Sequence, residues 1–369
     1  MVRHRSSAAP LAWLYAALIV YASLYPFVGW TIPGVAPWAF LTLPWPRWWT
    51  VFDVVSNLFG YLPFGALVCI ALLRTGRHPL IGLAAAVALA ALLSCGLESL
   101  QNYLPQRVAS NVDLALNVGG AAIGAALFVL VHVMGGVERW QTLRDRWFIS
   151  RSAGGMALLL LWPVGLLFPT PVPLGMGHVL ARFQDWLAQA VEGTLAEPWI
   201  EGWVDASGRL DALSPASEVA AIGLGLLAPC LVAFTITRDL PRRLAMLLGA
   251  GLLGFAATTL STALNFGPQH ALAWRTPNAI GGFALGTLAA IGFAWLPRRA
   301  IAGVALVALT AGIALVSQTP ADPYFAESLQ GWAQGRFIRF HGAAQWVGWL
   351  WPYAALLYLL LRVGARDEG

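Results

Sequence analysis

Seven polar residues stand out in the apolar N-terminal third of the chain because their spacing fits one binding site. They form three pairs and a cation: Asp53 with Asn57, Glu98 with Gln101, Asp113 with Asn117, and Arg107. The members of each pair are three or four residues apart, which places both side chains on one face of a helix. Ionisable residues within apolar helices are costly and are commonly functional. We therefore expect a functional site built from these seven residues.

The charges of this set indicate what it would bind. Three carboxylates and one guanidinium leave an excess of about two negative charges if all are ionised, and apolar surroundings disfavour such an excess. The site would then hold a proton, or bind a cation or an amine. Structural roles stay open for single members: Asp113 favours a helix start, Glu98 and Arg107 fit an ion pair, and the amides can join neighbouring helices.

The composition predicts that membrane-spanning helices position these residues. Hydrophobic residues make up 59% of the 369 residues and charged residues 11%, against about 25% charged in soluble proteins. This excludes a soluble globular protein, a disordered chain, a disulfide scaffold and a nucleic-acid-binding protein. A span needs roughly 20 apolar residues, and ten segments qualify: 11–30, 52–73, 79–100, 113–134, 152–169, 216–237, 243–264, 278–296, 300–317 and 342–362. The expected fold class is an all-α polytopic transmembrane bundle.

Small residues in the same region predict close helix packing. The connection between the third and fourth spans is short, so these spans should be antiparallel neighbours whose polar ends converge. Glycines let helix backbones approach each other in membranes. The expected packing residues are Pro63, Gly65, Gly119, Gly120 and Gly124.

The basic residues predict an orientation. All 22 are arginine, and fifteen fall on one side of the membrane if the N-terminus is cytoplasmic, which is the side that positive charge prefers. Both termini are then cytoplasmic and the seven-residue site faces outward. Outer segments are rich in tryptophan, as at Trp38, Trp45, Trp48 and Trp49, which indicates an interfacial belt or a platform for a lipid or glycan.

The motif resembles the VanZ-like family of bacterial membrane proteins. The resemblance rests on the seven polar residues with Pro63, Gly65, Gly120 and Gly124, and on Tyr25-Pro-Phe27 at the end of the first span. It covers about residues 10–135. It implies a multi-pass protein of the bacterial cytoplasmic (inner) membrane, associated with the cell envelope and with low-level resistance to the glycopeptide antibiotic teicoplanin. It implies no established chemistry.

The rest of the chain carries weaker echoes of this unit. Residues 265–270 are similar in sequence to residues 102–107, with a proline at the same place in each. Three glycines recur 162 residues further along the chain. Glu218 and Pro229 are spaced much like Asp53 and Pro63. Two tandem four-helix units are therefore one hypothesis, and chance similarity in an apolar sequence is the other. The expected organisation is a VanZ-like unit over 1–135, a degenerate second unit over 136–299 with an outer amphipathic segment at 178–211, and two C-terminal spans over 300–369 with an outer aromatic segment at 318–341.

Three functions fit these observations. The first is a non-enzymatic envelope protein whose acidic and amide site binds a lipid-linked cell-wall precursor or a glycopeptide, with membrane lipids as further partners. The second is an intramembrane enzyme acting on a phospholipid or polyprenyl lipid, and only this alternative calls for a cofactor, Mg²⁺ or Ca²⁺ held by oxygen ligands. The third is a transporter, which the position of the charges at one membrane edge disfavours. The sequence leaves the oligomeric state open.

Overall fold

A computed structural model of the chain describes residues 8–25, 27–32, 34–45, 51–105, 107–177, 179–200, 213–319 and 338–364. Within these residues the protein is all-helical, as expected, and it divides into two compact units, Met1–Thr142 and Leu143–Gly369. The first unit holds α1 (Ala8–Leu24), α2 (Val51–Leu73), α3 (Pro79–Gln101) and α4 (Asn111–Val133), and α5 (Gly136–Trp147) crosses the boundary. The second holds α6 (Ala153–Gly165), α7 (Val179–Val191), α8 (Pro215–Ile236), α9 (Leu240–Phe266), α10 (Pro277–Phe293), α11 (Arg298–Ser317) and α12 (Ile338–Gly364).

Each of the ten expected spans coincides with an apolar helix. Seven described helices are long and apolar enough to cross a membrane, and α1, α6 and α10 are shorter apolar helices. The protein is therefore a polytopic membrane protein, and the number of spans stays a prediction. The first helix ends at Leu24, not near residue 30, because Pro26 follows and disfavours helical backbone at the residue before it. Phe27 then adopts a φ of 63°.

Helix starts follow a common local rule. The N-cap side chains of α3, α8, α9 and α10 each accept a hydrogen bond from a backbone N–H, and proline stands in the first turn of all four helices. A capping side chain satisfies an amide that has no partner in the helix, and proline has no such amide to satisfy. Sharp helix starts of this kind fix where the polar residues near each helix end are placed.

The first unit packs around α2, which contacts α1, α3 and α4. A methyl group at Gly120 would overlap the carbonyl of Leu58, and one at Gly124 would overlap that of Leu62. Since these contacts advance together along both helices, α2 and α4 run in the same direction. Gly65 faces Ala121 equally closely, which confirms that α2 and α4 depend on small residues for this approach.

Gly119, expected among the packing residues, is not part of the close approach. A methyl group there would reach only Leu58 Cδ1, at 3.9 Å, which is an ordinary contact. The reason is helical geometry: Gly120 and Gly124 share one face of α4, and Gly119 is rotated away from it.

The second unit packs around α8, which is buried along most of its length and contacts α6, α9, α10 and α11. Glycines again mediate the closest contact: Gly282 and Gly286 of α10 face Val219 and Gly223 of α8. The C-terminal helix α12 packs on α6 and α11. The indole N–H of its Trp351 donates to Leu158 O at 2.7 Å.

Candidate functional site

The expected site residues lie at one end of the first unit, where α1 and α3 end and α2 and α4 begin. Adjacent helices are antiparallel there, so the four helix ends and the 102–110 connection meet at the same side. All seven polar residues belong to these elements. The helix bundle therefore assembles them at one end of a single unit.

Glu98 and Gln101 form the buried part of this end. Their side chains are only 4% and 7% exposed. Glu98 Oε2 accepts the backbone N–H of Ser110 at 2.9 Å, and Gln101 Nε2 donates to Ser23 O at 3.1 Å. The last turn of α3 is thus tied both to the start of α4 and to the end of α1.

Arg107 reaches back to the first helix. Its Nη2 donates to Tyr25 O at 2.7 Å, one residue beyond the end of α1, where helical carbonyls lack partners. The side chain is half-buried. The cation of the site therefore holds the end of α1 against the connection between α3 and α4.

Asp113 and Asn117 occupy the first two turns of α4. Ser110 is the N-cap, and its Oγ accepts the Asp113 N–H at 3.3 Å. Asn117 is 5% exposed, and its Nδ2 donates to Ser94 Oγ at 2.9 Å. Its Oδ1 is buried and has no hydrogen-bond partner among the described residues. Buried side-chain acceptors are seldom left in this state, which distinguishes this oxygen from the other polar groups of α4.

Asp53 and Asn57 are the residues of α2 that lie at this end of the unit. Both are half-buried, and Asp53 lies in the first turn of the helix. The register set by the Leu58–Gly120 contact puts Asp53 within about one turn of Asp113 along the parallel axes, at 1.5 Å per residue. Asn57 lies at about the level of Asn117 by the same register.

Three hydrogen bonds hold the segment 27–45 against this end of the unit. Asn102 Nδ2 donates to Pro37 O at 2.6 Å, Asn111 Nδ2 donates to Leu43 O at 2.6 Å, and the backbone N–H of Thr31 donates to Tyr103 O at 2.8 Å. Its tryptophans Trp30, Trp38 and Trp45 are exposed, as an interfacial segment requires. The expected Trp48 and Trp49 lie outside the described residues, as do most of segment 318–341 and residues 201–211 of segment 178–211.

Sequence reasoning missed two residues of the site, Ser94 and Ser110. Ser110 and Asp113 follow the capping signature of a Ser or Thr three residues before an acid, which the sequence displays. Ser94 lies one turn before Glu98 on the same face of α3, but a lone serine in an apolar helix gives no signal of its partner. Ser94 is fully buried, and the Tyr61 hydroxyl interacts with it as well.

The arrangement offers oxygen acceptors more than any other group. Three carboxylates, on α2, α3 and α4, lie at the same end of the unit as two amide side chains and one guanidinium. In the part of the chain that the structure describes, no group of three or more His, Cys, Asp or Glu residues is arranged to hold a metal ion. Such a surface is suited to a ligand that presents N–H, O–H or ammonium donors.

Comparison with known families matches the N-terminal part of the chain. The VanZ/LLP1 family model matches residues 9–132, the stretch that carries α1–α4 and all seven polar residues. Residues 9–132 are a VanZ-like segment. The match ends with α4 and leaves the second unit unmatched. No curated protein and no solved structure matches the chain. The protein is therefore a polytopic membrane protein with a VanZ-like N-terminal unit.

Proposed function

We propose that the VanZ-like unit is a binding module of the bacterial cell envelope. Its ligand is a donor-rich head group, either of a lipid-linked cell-wall precursor or of a glycopeptide such as teicoplanin, and binding changes access to cell-wall precursors. The observation that supports the proposal is that Asp53, Glu98, Asp113 and Arg107 all lie at the same end of one unit of packed apolar helices. An ammonium or several N–H donors would offset the excess negative charge, which apolar surroundings otherwise penalise.

The proposed location is the bacterial cytoplasmic membrane, with both termini in the cytoplasm. Arginines at Arg74, Arg77 and Arg139 lie near the end of the first unit opposite to the polar site. Positive charge favours the cytoplasmic side, so the polar site would face outward. An outward site meets cell-wall precursors and external glycopeptides, which supports the proposed ligand class.

Susceptibility to teicoplanin tests the proposal in cells. In a susceptible host that expresses the full chain, Glu98→Gln and Asp113→Asn should each lower protection, because each removes a charged acceptor while keeping the side-chain shape. Asp145→Asn on α5, an acidic residue outside the site, is the matched control and should behave as the wild type. Unchanged susceptibility in both site variants, at equal membrane expression, would speak against the proposal.

We also propose that α6, α8, α9 and α10 form a degenerate copy of α1–α4. In both units the second helix meets the fourth through a glycine facing a backbone carbonyl, Gly120 with Leu58 and Gly282 with Val219, and the contact recurs one turn later. In this register Glu218 corresponds to Asn57. The sequence similarity alone pairs Glu218 with Asp53, which lies one helical turn before Asn57. An experimentally determined structure tests the copy: the two sets of four helices should superpose in this register, and a different helix order would refute it.

A further inference from the structure

The second unit contains a cavity that has no counterpart among the expected sites. Its volume is about 350 Å³, and it lies where α6 and α9 end and α8 and α10 begin. The walls come from the segment that follows α6, the first turn of α8, the last turns of α9 and the connection to α10. All of these elements belong to the second unit.

One wall of the cavity carries a carboxylate. Glu218 is half-buried in the first turn of α8, and its Oε2 accepts Asn278 Nδ2 at 2.6 Å. This bond orients the carboxylate and leaves its other oxygen available to a ligand. His270 is the other titratable lining residue, and Arg275 is exposed outside the lining.

Hydroxyl groups of α9 face the same space. Thr258 is 8% exposed, and its Oγ1 has no hydrogen-bond partner among the described residues. Ser261, one turn on, donates to Leu167 O at 2.9 Å and accepts Asn265 Nδ2 at 3.5 Å, which leaves one lone pair of its hydroxyl oxygen for a further donor. Buried hydroxyls nearly always have a partner, so the Thr258 hydroxyl is an unsatisfied polar group among the residues that line this cavity.

The ring of Trp274, which its neighbours hold in place, forms another part of the cavity wall. The indole N–H of Trp274 donates to Thr259 Oγ1 at 3.1 Å, and its ring lies against Phe255 and Phe283 with centroid distances of 5.3 and 5.6 Å. A ring held in place loses little freedom on binding. Aromatic faces attract cations, and tryptophan does so most strongly.

The remaining lining is apolar. Leu166, Pro169, Leu174 and Phe266 border the same cavity. A ligand that fills the space would therefore combine a small cationic head with a hydrocarbon portion. A free ion would leave the apolar wall uncovered, and a neutral hydrocarbon would give the Glu218 carboxylate no counter-charge and the Thr258 hydroxyl no hydrogen bond.

We propose that this cavity binds the ammonium head group of an amphiphile, as phosphatidylethanolamine provides, with Glu218 as counter-charge and Trp274 as aromatic wall. Thr258 and Ser261 accept hydrogen bonds from the head group, and the apolar residues contact the start of the hydrocarbon chain. The inference stands apart from the proposed function of the VanZ-like unit, because none of its residues belongs to that unit.

Native mass spectrometry of the purified full chain in detergent tests the charge requirement. Phosphatidylethanolamine should bind more tightly than phosphatidylglycerol with the same chains, since only the former carries an ammonium. Glu218→Gln should weaken phosphatidylethanolamine binding about tenfold, the effect expected for loss of a hydrogen bond to a charged group. The control Glu192→Gln, an exposed acid of the same unit, should bind as the wild type. Equal binding of both lipids, or undiminished binding by Glu218→Gln, would overturn the proposal.

A second variant keeps the test decisive if Glu218→Gln fails to fold. Thr258→Val removes the unpartnered hydroxyl at constant shape, so it should not lower the unfolding midpoint in lipid-free detergent. It should reduce the rise in midpoint that phosphatidylethanolamine produces. Thr310→Val, at an exposed threonine of α11, should leave that rise unchanged. A full rise in Thr258→Val would contradict the assignment of its hydroxyl to the head group.

Discussion

At the scale of single residues, the polar end of the VanZ-like unit depends on partners that hold each side chain in place. Glu98 accepts the backbone N–H of Ser110, Arg107 donates to Tyr25 O, and Asn117 donates to Ser94. The candidate site is thus supported by three uncharged groups, the Ser110 amide, the Tyr25 carbonyl and the Ser94 hydroxyl. Replacing these supports should affect folding as well as binding.

Ser94→Ala is expected to destabilise the protein by about 1–3 kcal/mol, because it leaves the buried Asn117 amide without its partner. Unfolding of the purified protein in detergent measures this. Ser99→Ala, on the same helix at a half-buried position, is the control and should cost less. The double variant Ser94→Ala, Asn117→Leu should cost less than the sum of its parts; full additivity would show that the bond between them contributes little.

The charged residues of this end could be recognised from the sequence, and their partners could not. Spacing of three or four places two residues on one helix face, which is why Asp113 and Asn117 were expected together. Spacing does not say which face of another helix lies opposite. Ser94 meets Asn117 only because α3 and α4 pack in one particular rotation, and that is set by many apolar contacts at once.

At the scale of helices, both units depend on one kind of contact. In the first unit α2 meets α4, and in the second α8 meets α10, at glycines that face backbone carbonyls, which brings the helix axes close and fixes their register. The register set by the contact of Leu58 with Gly120 puts Asp53 at about the level of the first turn of α4. The helices themselves could be predicted from the length of the apolar segments. The sequence could not show that Gly120 makes the contact and that the adjacent Gly119 does not.

Adjacent glycines provide a matched test of this contact. Gly120→Ala should destabilise the protein by about 1–3 kcal/mol or more, because the added methyl group overlaps the Leu58 carbonyl and α2 must move. Gly119→Ala should be neutral or slightly stabilising, since alanine favours a helix and has room there. The unfolding midpoints of the two variants decide the matter, and similar losses for both would rule out the described packing.

The second unit offers the same comparison. Gly282→Ala would bring its methyl group against Ile222 and the Val219 carbonyl, whereas Gly281→Ala would meet only Val219 side-chain atoms at 3.7 Å. Gly282→Ala should therefore lower the unfolding midpoint more than Gly281→Ala does. The opposite order would contradict the close approach of α8 and α10.

At the scale of the whole molecule, apolar composition predicted the all-helical architecture, and the orientation taken from the arginines stays a prediction. Every expected span coincides with a helix because hydrophobic length is a strong signal in membranes. Helix ends differed where local geometry decides, as at Leu24 before Pro26. The cavity of the second unit could not be predicted, because its lining comes from four elements whose polar residues are too sparse to form a motif.

The proposed orientation is testable on intact cells with a membrane-impermeant thiol reagent. Glu192→Cys, at an exposed position on the proposed outer side, should be labelled directly. Asp145→Cys on α5 should be labelled only after the cells are permeabilised. The native Cys69 and Cys230 are buried, and the unsubstituted protein corrects for any background. The reverse labelling pattern would invert the topology and place the VanZ-like site in the cytoplasm.

Direct binding to the purified full chain tests the central claim, that the acidic end of the VanZ-like unit binds a donor-rich envelope ligand. The probes are teicoplanin and a lipid-linked disaccharide-peptide precursor, each titrated against the wild type, Glu98→Gln and Asp113→Asn. At least one probe should bind the wild type, and each variant should weaken that binding about tenfold, as loss of a charged acceptor predicts. Absence of binding by both probes, or equal binding by folded variants, would contradict the claim.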